Sequence, residues 1–144
     1  MKLTSEEKLG ALASYLEIEY QQKATQCDYA IVEAKRIYEP IKIFKVKKSD
    51  DDKAVIKDYI LKPLVSLEDL LTFIEEWNGK MKLKFKACSD KCENSEYVES
   101  VTDILDKHIV AFEDKLESAI EVVQDYKSDV LDLLGIKTTK EETV

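Results

Sequence analysis

Apolar residues recur every three or four positions along the first third of the chain. Thr4 and Glu7 precede this stripe as a capping pair, in which each side chain satisfies a free backbone N–H of the first helical turn. Because an α-helix has about 3.6 residues per turn, this spacing places the whole stripe on one helical face. Proline disfavours helix in the residue before it, so Pro40 ends the pattern. The sequence predicts a long helix over about 5–39, with a stripe of Leu9, Leu12, Leu16, Tyr20, Ala24, Cys27, Ile31, Ala34 and Tyr38.

The last third of the chain carries a second stripe, whose mean spacing of about 3.5 residues is the coiled-coil period. Asn94 or Ser95 can cap its start, and Leu134-Gly135-Ile136 is typical of a helix that ends at glycine. This pattern predicts a long helix over about 94–134, followed by a flexible polar tail at 137–144. Flanking apolar positions widen the stripe and favour packing in a bundle. The simplest arrangement packs the two long helices antiparallel.

The middle of the chain, residues 40–92, has a different pattern. Residues 41–47 are rich in β-forming types, whereas 54–61 fit either a returning strand or a short helix. Ser66 begins a short helix that runs to Trp77 and stops at Asn78-Gly79.

Lysines alternate with apolar residues over 80–87, which is the pattern of a half-buried strand. The predicted fold is therefore mainly α. Two long antiparallel helices bracket a small α+β insert at 40–92 with two or three short strands, and residues 1–144 form a single domain.

No arrangement of residues in the sequence indicates a catalytic site, a metal site or a cofactor. The three glycines stand alone, so the known phosphate-binding loops are absent. His108 has no ligand-type residue three or four positions away and occupies a core slot of its stripe, which favours a packing role. Cys88 and Cys92 have CxxxC spacing, and the odd total of three cysteines without a secretion signal predicts reduced thiols in the cytoplasm. No apolar run approaches the roughly 20 residues of a membrane span.

Charge is distributed unevenly. Residues 93–134 hold twelve acidic residues and three lysines, a net charge of −9, whereas residues 40–92 hold twelve lysines and nine acids, a net of +3. Acidic side chains recur at helical spacing opposite the apolar stripe, so they share one face. The sequence predicts a partner-binding face of Glu113, Glu117, Glu121, Asp125, Asp129 and Asp132.

These features favour a non-enzymatic protein that acts through protein–protein contacts. An acidic helix fits a basic groove that normally holds phosphates, so the leading hypothesis is a regulator or inhibitor of a nucleic-acid-handling partner. The pI of about 4.8 argues against direct binding of nucleic acid. The alternative is a structural or assembly subunit, such as a virion or chaperone-like helical component. A homodimer is also compatible with the sequence, and an ordinary solvated helix face is the alternative explanation of the charge.

Overall fold

The described part of the chain is almost entirely helical. The computed structural model describes residues 2–43 and 50–136, and no β-strand occurs within those two ranges. Helix α1 spans Ser5–Tyr38, α2 spans Asp50–Ile56, α3 spans Lys62–Ser89 and α4 spans Ser95–Leu134. A 3₁₀ turn at Glu39–Ile43 follows α1, and a π-helical turn at Lys57–Leu61 joins α2 to α3. Over these residues the fold is a helical bundle with three long helices.

The prediction of an α+β insert with two or three short strands is wrong. Residues 41–43 belong to the 3₁₀ turn, and residues 44–47 of that predicted strand lie outside the described residues. Residues 54–61 are helical, and residues 80–87 lie inside α3. The short helix predicted from Ser66 to Trp77 is the central part of the same continuous helix.

A longer-range pattern explains why α3 is a helix. Its inward positions follow each other at steps of three and four, which is the period of a helix and not of a strand: Leu64, Leu67, Leu71, Ile74, Asn78, Met81, Phe85 and Cys88. All eight are buried or half-buried, whereas Leu83 is 71% exposed. The local alternation of lysines with apolar residues therefore covers only a short part of a 3.5-residue pattern.

The ends of α1 and α4 have the hydrogen bonds that the sequence indicates. The Glu7 backbone N–H donates to Thr4 Oγ1 at 3.1 Å, and the Thr4 N–H donates to Glu7 Oε1 at 3.0 Å. Asn94 caps α4, because its Oδ1 accepts from the Tyr97 N–H at 3.1 Å. At the other end, Gly135 has a φ of +74°, and the Ile136 N–H reaches back to the Leu131 carbonyl at 2.9 Å. This is a Schellman ending, in which glycine avoids the penalty that a Cβ would add.

The π-helical turn accommodates Pro63 near the start of α3. Proline has no N–H to donate to the carbonyl four residues earlier, so an α-helical ladder would lose a bond there. In the π turn, the Lys62 N–H instead donates to the Lys57 carbonyl, five residues back. The helical path continues past the proline because of this one widened turn.

The chain divides into two compact units. The first unit comprises Met1–Gln26 and Phe73–Leu116, and the second comprises Cys27–Thr72 and Glu117–Val144. The interpretation of residues 1–144 as one domain stays a prediction.

Within the first unit, α1 and α4 run parallel. Early residues of α1 contact the start of α4: Glu6 Oε1 accepts from the Glu93 N–H, and a Cβ placed on Gly10 would lie 2.4 Å from Tyr97 Oη. Farther along both helices, the ring of Tyr20 packs on that of Phe112 with 5.1 Å between centroids. The predicted antiparallel arrangement is therefore wrong. In this unit α3 runs in the opposite direction to α1, and α4 then begins beside the start of α1.

The second unit has its own apolar core. The buried residues Ala30, Ile60, Leu64, Leu71 and Val123 come from four different elements of this unit. Fully burying side chains of this size contributes about 1.5–3 kcal/mol each, apart from the smaller alanine. Lys127 Nζ donates to Glu68 Oε1 at 2.8 Å, which ties α4 to the first half of α3.

Candidate protein-interaction surface

The six acidic residues predicted to bind a partner occupy different environments on α4. Glu117, Glu121, Asp125, Asp129 and Asp132 are exposed and belong to the second unit. Glu113 belongs to the first unit and is half-buried. The structure thus groups five of the six within one unit and gives Glu113 a different setting.

Helical geometry explains the orientation of the acidic residues in the second unit. Ala119, Val123 and Val130 are fully buried and fix which side of α4 faces the core. At 100° per residue, positions 117, 121, 125 and 132 fall on the opposite side of the helix. These four residues, Glu117, Glu121, Asp125 and Asp132, are called the acidic face below.

Charge on α4 in the second unit is poorly balanced. Residues 117–134 contain five acidic residues and one lysine, Lys127, which gives a net charge of −4. Lys127 points sideways to Glu68, so its charge is directed away from the acidic face. None of the four carboxylates of the acidic face forms an ion pair within the described residues. Considered over the described residues alone, such a face presents a negative field to solvent.

Asp129 has a structural partner. Its Oδ2 accepts a hydrogen bond from the Tyr38 hydroxyl at 3.0 Å, and the Tyr38 ring stacks on that of Tyr126 with 4.3 Å between centroids. Burial, followed by the hydrogen bond to Asp129, raises the pKa of Tyr38. Asp129 therefore joins α4 to the end of α1 as well as being exposed.

Glu113 belongs to a polar network in the core of the first unit. The Tyr20 hydroxyl donates to Asn78 Oδ1 at 2.7 Å, and Asn78 Nδ2 donates to Glu113 Oε2 at 2.9 Å. Lys82 Nζ donates to the same Glu113 oxygen at 2.6 Å. Each helix of this unit contributes to the network, α1 through Tyr20, α3 through Asn78 and Lys82, and α4 through Glu113.

The network changes the acidity of its members. Burial, and secondarily the charge of Glu113, raises the pKa of Tyr20 to about 12. Burial opposes ionisation of Glu113 as well, but the hydrogen bonds from Lys82 and Asn78 outweigh it and lower the Glu113 pKa. Glu113 is thus held as a carboxylate by its neighbours inside the first unit.

Aromatic rings surround this network. Tyr20 meets Trp77 edge-on at a centroid distance of 4.9 Å, and Trp77 lies 6.2 Å from Phe112. Lys23 Nζ lies 4.8 Å from the Trp77 ring, which is cation–π distance. A partly open cavity of about 250 Å³ adjoins the cluster, with Leu16, Met81, Phe85, Leu105 and Ile109 among its lining residues.

Sequence reasoning missed this network because it interpreted Asn78-Gly79 as a helix stop. The signal that could have revealed Asn78 is its place in the 3.5-residue pattern of α3, where it occupies a core slot between Ile74 and Met81. Asn78 is 7% exposed and is the buried polar residue of the described core. A polar residue in such a slot requires hydrogen-bond partners from other helices.

The remaining candidates from the sequence are one histidine and three cysteines. His108 is half-buried in the first unit. Cys88 and Cys92 are free thiols at the end of α3 and in the following loop, and Cys27 is buried in the second unit. Over residues 2–43 and 50–136, histidine, cysteine and carboxylate side chains do not assemble in groups of three or more that could hold a metal ion.

Within the same described ranges, every helix is too short or too polar to cross a membrane. No family model matches the chain, and neither a curated protein nor a solved structure shows significant similarity to it.

Proposed function

We propose that this protein is non-enzymatic and acts by binding a basic surface of another protein through the acidic face of α4. The observation that carries the proposal is the position of Glu117, Glu121, Asp125 and Asp132 on the solvent side of a continuous helix, where none of them forms an ion pair within residues 2–43 and 50–136. A stable helix packed in a core presents these carboxylates at fixed positions, which lowers the entropy cost of binding.

The partner class follows from the charge of this surface. A basic groove that accepts successive carboxylates along a helix is also suited to successive phosphates of a nucleic acid. The proposed activity is therefore regulation or inhibition of a nucleic-acid-handling protein by occupying its phosphate-binding groove. The net charge of −8 for the whole chain supports rapid encounter with such a partner.

The acidic face is unsuited to self-association. Two copies that met through it would bring like charges together, which costs free energy unless cations intervene. A homodimer of this chain therefore requires a different surface.

The test is affinity capture from a lysate of the source organism, at about 50 and 200 mM salt, with the immobilised wild-type chain and a triple variant, Glu117→Lys/Glu121→Lys/Asp125→Lys. We expect wild type to retain a nucleic-acid-binding protein at low salt and to release it at high salt. The purified partner should bind a labelled duplex that the wild-type chain displaces. The triple variant should fail in both assays, because repulsion replaces attraction at three adjacent positions.

A matched control is available on the same helix. The variant Glu99→Lys/Asp103→Lys/Asp106→Lys makes the same change in net charge at three exposed positions of the first unit. It should retain the partner if the acidic face is specific. Equal loss of partner binding in both variants would show that only net charge matters. Undiminished binding by the variant with lysines at 117, 121 and 125 would show that the acidic face is an ordinary solvated surface.

A further inference from the structure

Helix α1 carries a second apolar pattern on the side that faces solvent. Its members follow each other at steps of four and three: Ala11, Tyr15, Ile18, Gln22, Thr25, Tyr29 and Val32, called the outer stripe below. The four largest, Tyr15, Ile18, Tyr29 and Val32, are 53%, 59%, 56% and 62% exposed. The first unit contains the members up to Thr25, and the second unit contains Tyr29 and Val32.

The outer stripe contains no charged residue, although 36% of the chain is charged. An exposed helix face in so charged a protein ordinarily carries Lys, Glu or Asp at several of seven positions. A sustained 3.5-residue spacing of uncharged residues is instead the seam of a coiled coil, which a partner helix covers. The inner side of α1 is already filled by its own core residues, including Leu9, Leu16 and Tyr20.

The outer stripe has the same order of apolar and polar residues in both directions along the helix. From Tyr15 to Val32 it reads two apolar, two polar and two apolar residues. In an antiparallel pair of α1 helices, Tyr15 would face Val32 of the second copy and Ile18 would face its Tyr29. Gln22 would then face Thr25, so polar residues meet polar residues at the centre. Such self-complementarity is the requirement of a two-fold symmetric interface.

We propose that the outer stripe binds the outer stripe of a second copy of this chain, forming an antiparallel two-fold dimer. The interaction uses a different surface from the acidic face, and it does not depend on the proposed function. It gives the homodimer a defined seam, register and symmetry.

The area of the outer stripe sets the expected affinity of the dimer. The four large side chains each expose roughly 100 Å², and the smaller members add to this, so each copy would bury about 500 Å² and the pair about 1,000 Å². That total is at the lower end for a specific interface. The dimer is therefore a reversible one, with a dissociation constant in the micromolar range.

Sedimentation equilibrium of the full chain from about 1 to 300 μM tests the proposal across that range of affinity. Wild type should shift from monomer to dimer with rising concentration, and salt should not weaken the dimer because its seam is uncharged. Ile18→Lys alone and Tyr29→Glu alone should each weaken it at least tenfold, since each buries unpaired charge in the seam. An equimolar mixture of the two variants should recover dimer, because the lysine introduced into one chain then faces the glutamate introduced into the other.

Leu83→Lys serves as the control, since Leu83 is exposed and lies on α3, outside the outer stripe. It should leave the dissociation constant unchanged, and all variants should keep the wild-type helical circular dichroism. A monomer throughout the concentration range overturns the proposal, as does a dimer that tolerates Ile18→Lys or responds equally to Leu83→Lys. If the equimolar mixture dimerises no more tightly than either variant alone, the antiparallel pairing is wrong. These outcomes are separate from those for the acidic face, whose triple reversal should not affect dimerisation.

Discussion

At the residue scale, Asn78 decides how the helices of the first unit align. One amide uses both of its ends, accepting from the Tyr20 hydroxyl and donating to the Glu113 carboxylate. A buried polar group without a partner costs free energy, so only the alignment that brings both partners within reach is stable. We therefore expect the network to favour one register among those that a purely apolar core would allow.

Replacing Asn78 should be costly because it leaves Tyr20 without an acceptor. Asn78→Leu keeps a similar volume but orphans a buried hydroxyl, so we expect it to lower the free energy of unfolding by about 1–3 kcal/mol. Urea denaturation followed by circular dichroism measures this loss.

The Tyr20→Phe background provides the control. Once the hydroxyl is absent, Asn78→Leu should cost less, and the difference between the two backgrounds is the coupling energy of the pair. Equal costs in both backgrounds would show that the hydrogen bond contributes nothing and that the loss comes from packing alone.

At the element scale, α3 shows how a short pattern can mislead. Met81, Leu83 and Phe85 would share one face of a strand, which is how the sequence was interpreted. In the helix, Leu83 points away from Met81 and Phe85 because successive residues rotate by about 100°. The interpretation failed because the window of eight residues was shorter than the stripe that governs the whole helix.

Two truncations to alanine distinguish a helix from a strand in this segment experimentally. Leu83→Ala should change the free energy of unfolding by less than about 0.5 kcal/mol because its side chain is mostly exposed. Phe85→Ala should cost more, about 1–3 kcal/mol, because the ring is half-buried beside the first-unit cavity. Urea denaturation of both variants is the measurement, and equal losses would contradict the helical assignment of this segment.

Local signals were the most predictable features. The Thr4–Glu7 pair, the Asn94 cap and the Gly135 ending all act within a few residues, and the structure contains each of them. The predicted boundaries of α1 and α4 agree with the observed ones to within one residue. The network around Asn78 could not be predicted in the same way, since its members come from three separate helices.

At the scale of the whole molecule, topology was the least predictable property. The sequence shows that α1 and α4 each have an apolar stripe, but it does not show which way they run beside each other. That direction depends on the number of long helices between them, because a short loop makes successive helices antiparallel. Once residues 62–89 form one helix, α1 and α4 must run in the same direction within the first unit.

Alkaline pH should reduce the stability of the protein through Tyr20. Its folded pKa is about 12, whereas that of an unfolded tyrosine is about 10. Below pH 10 both states keep the proton and the contribution is constant. Between pH 10 and 12 the unfolded state loses its proton first, so stability falls with rising pH by up to about 2–3 kcal/mol.

The measurement is urea denaturation between pH 9 and 12 for wild type and Tyr20→Phe. The variant lacks the titrating group, so its stability should fall less steeply over this interval. The pKa values of Tyr15 and Tyr38 are also raised, by a hydrogen bond to Glu19 and by burial, and they contribute equally to both proteins. Parallel pH profiles for the two proteins would contradict the assignment to Tyr20.

The parallel pairing of α1 with α4 has a consequence for synthesis of the chain on the ribosome. Glu6 accepts a hydrogen bond from the backbone N–H of Glu93, 87 positions later and just before α4, and Tyr20 packs on Phe112 of α4. At elongation rates of about 5–20 residues per second, α1 emerges several seconds before these partners are made. During that interval the part of α1 that packs on α4 stays uncovered, and chaperones that hold apolar helices can recognise it. A chain that terminates before α4 would keep that part of α1 uncovered, so release of incomplete products carries a risk of aggregation.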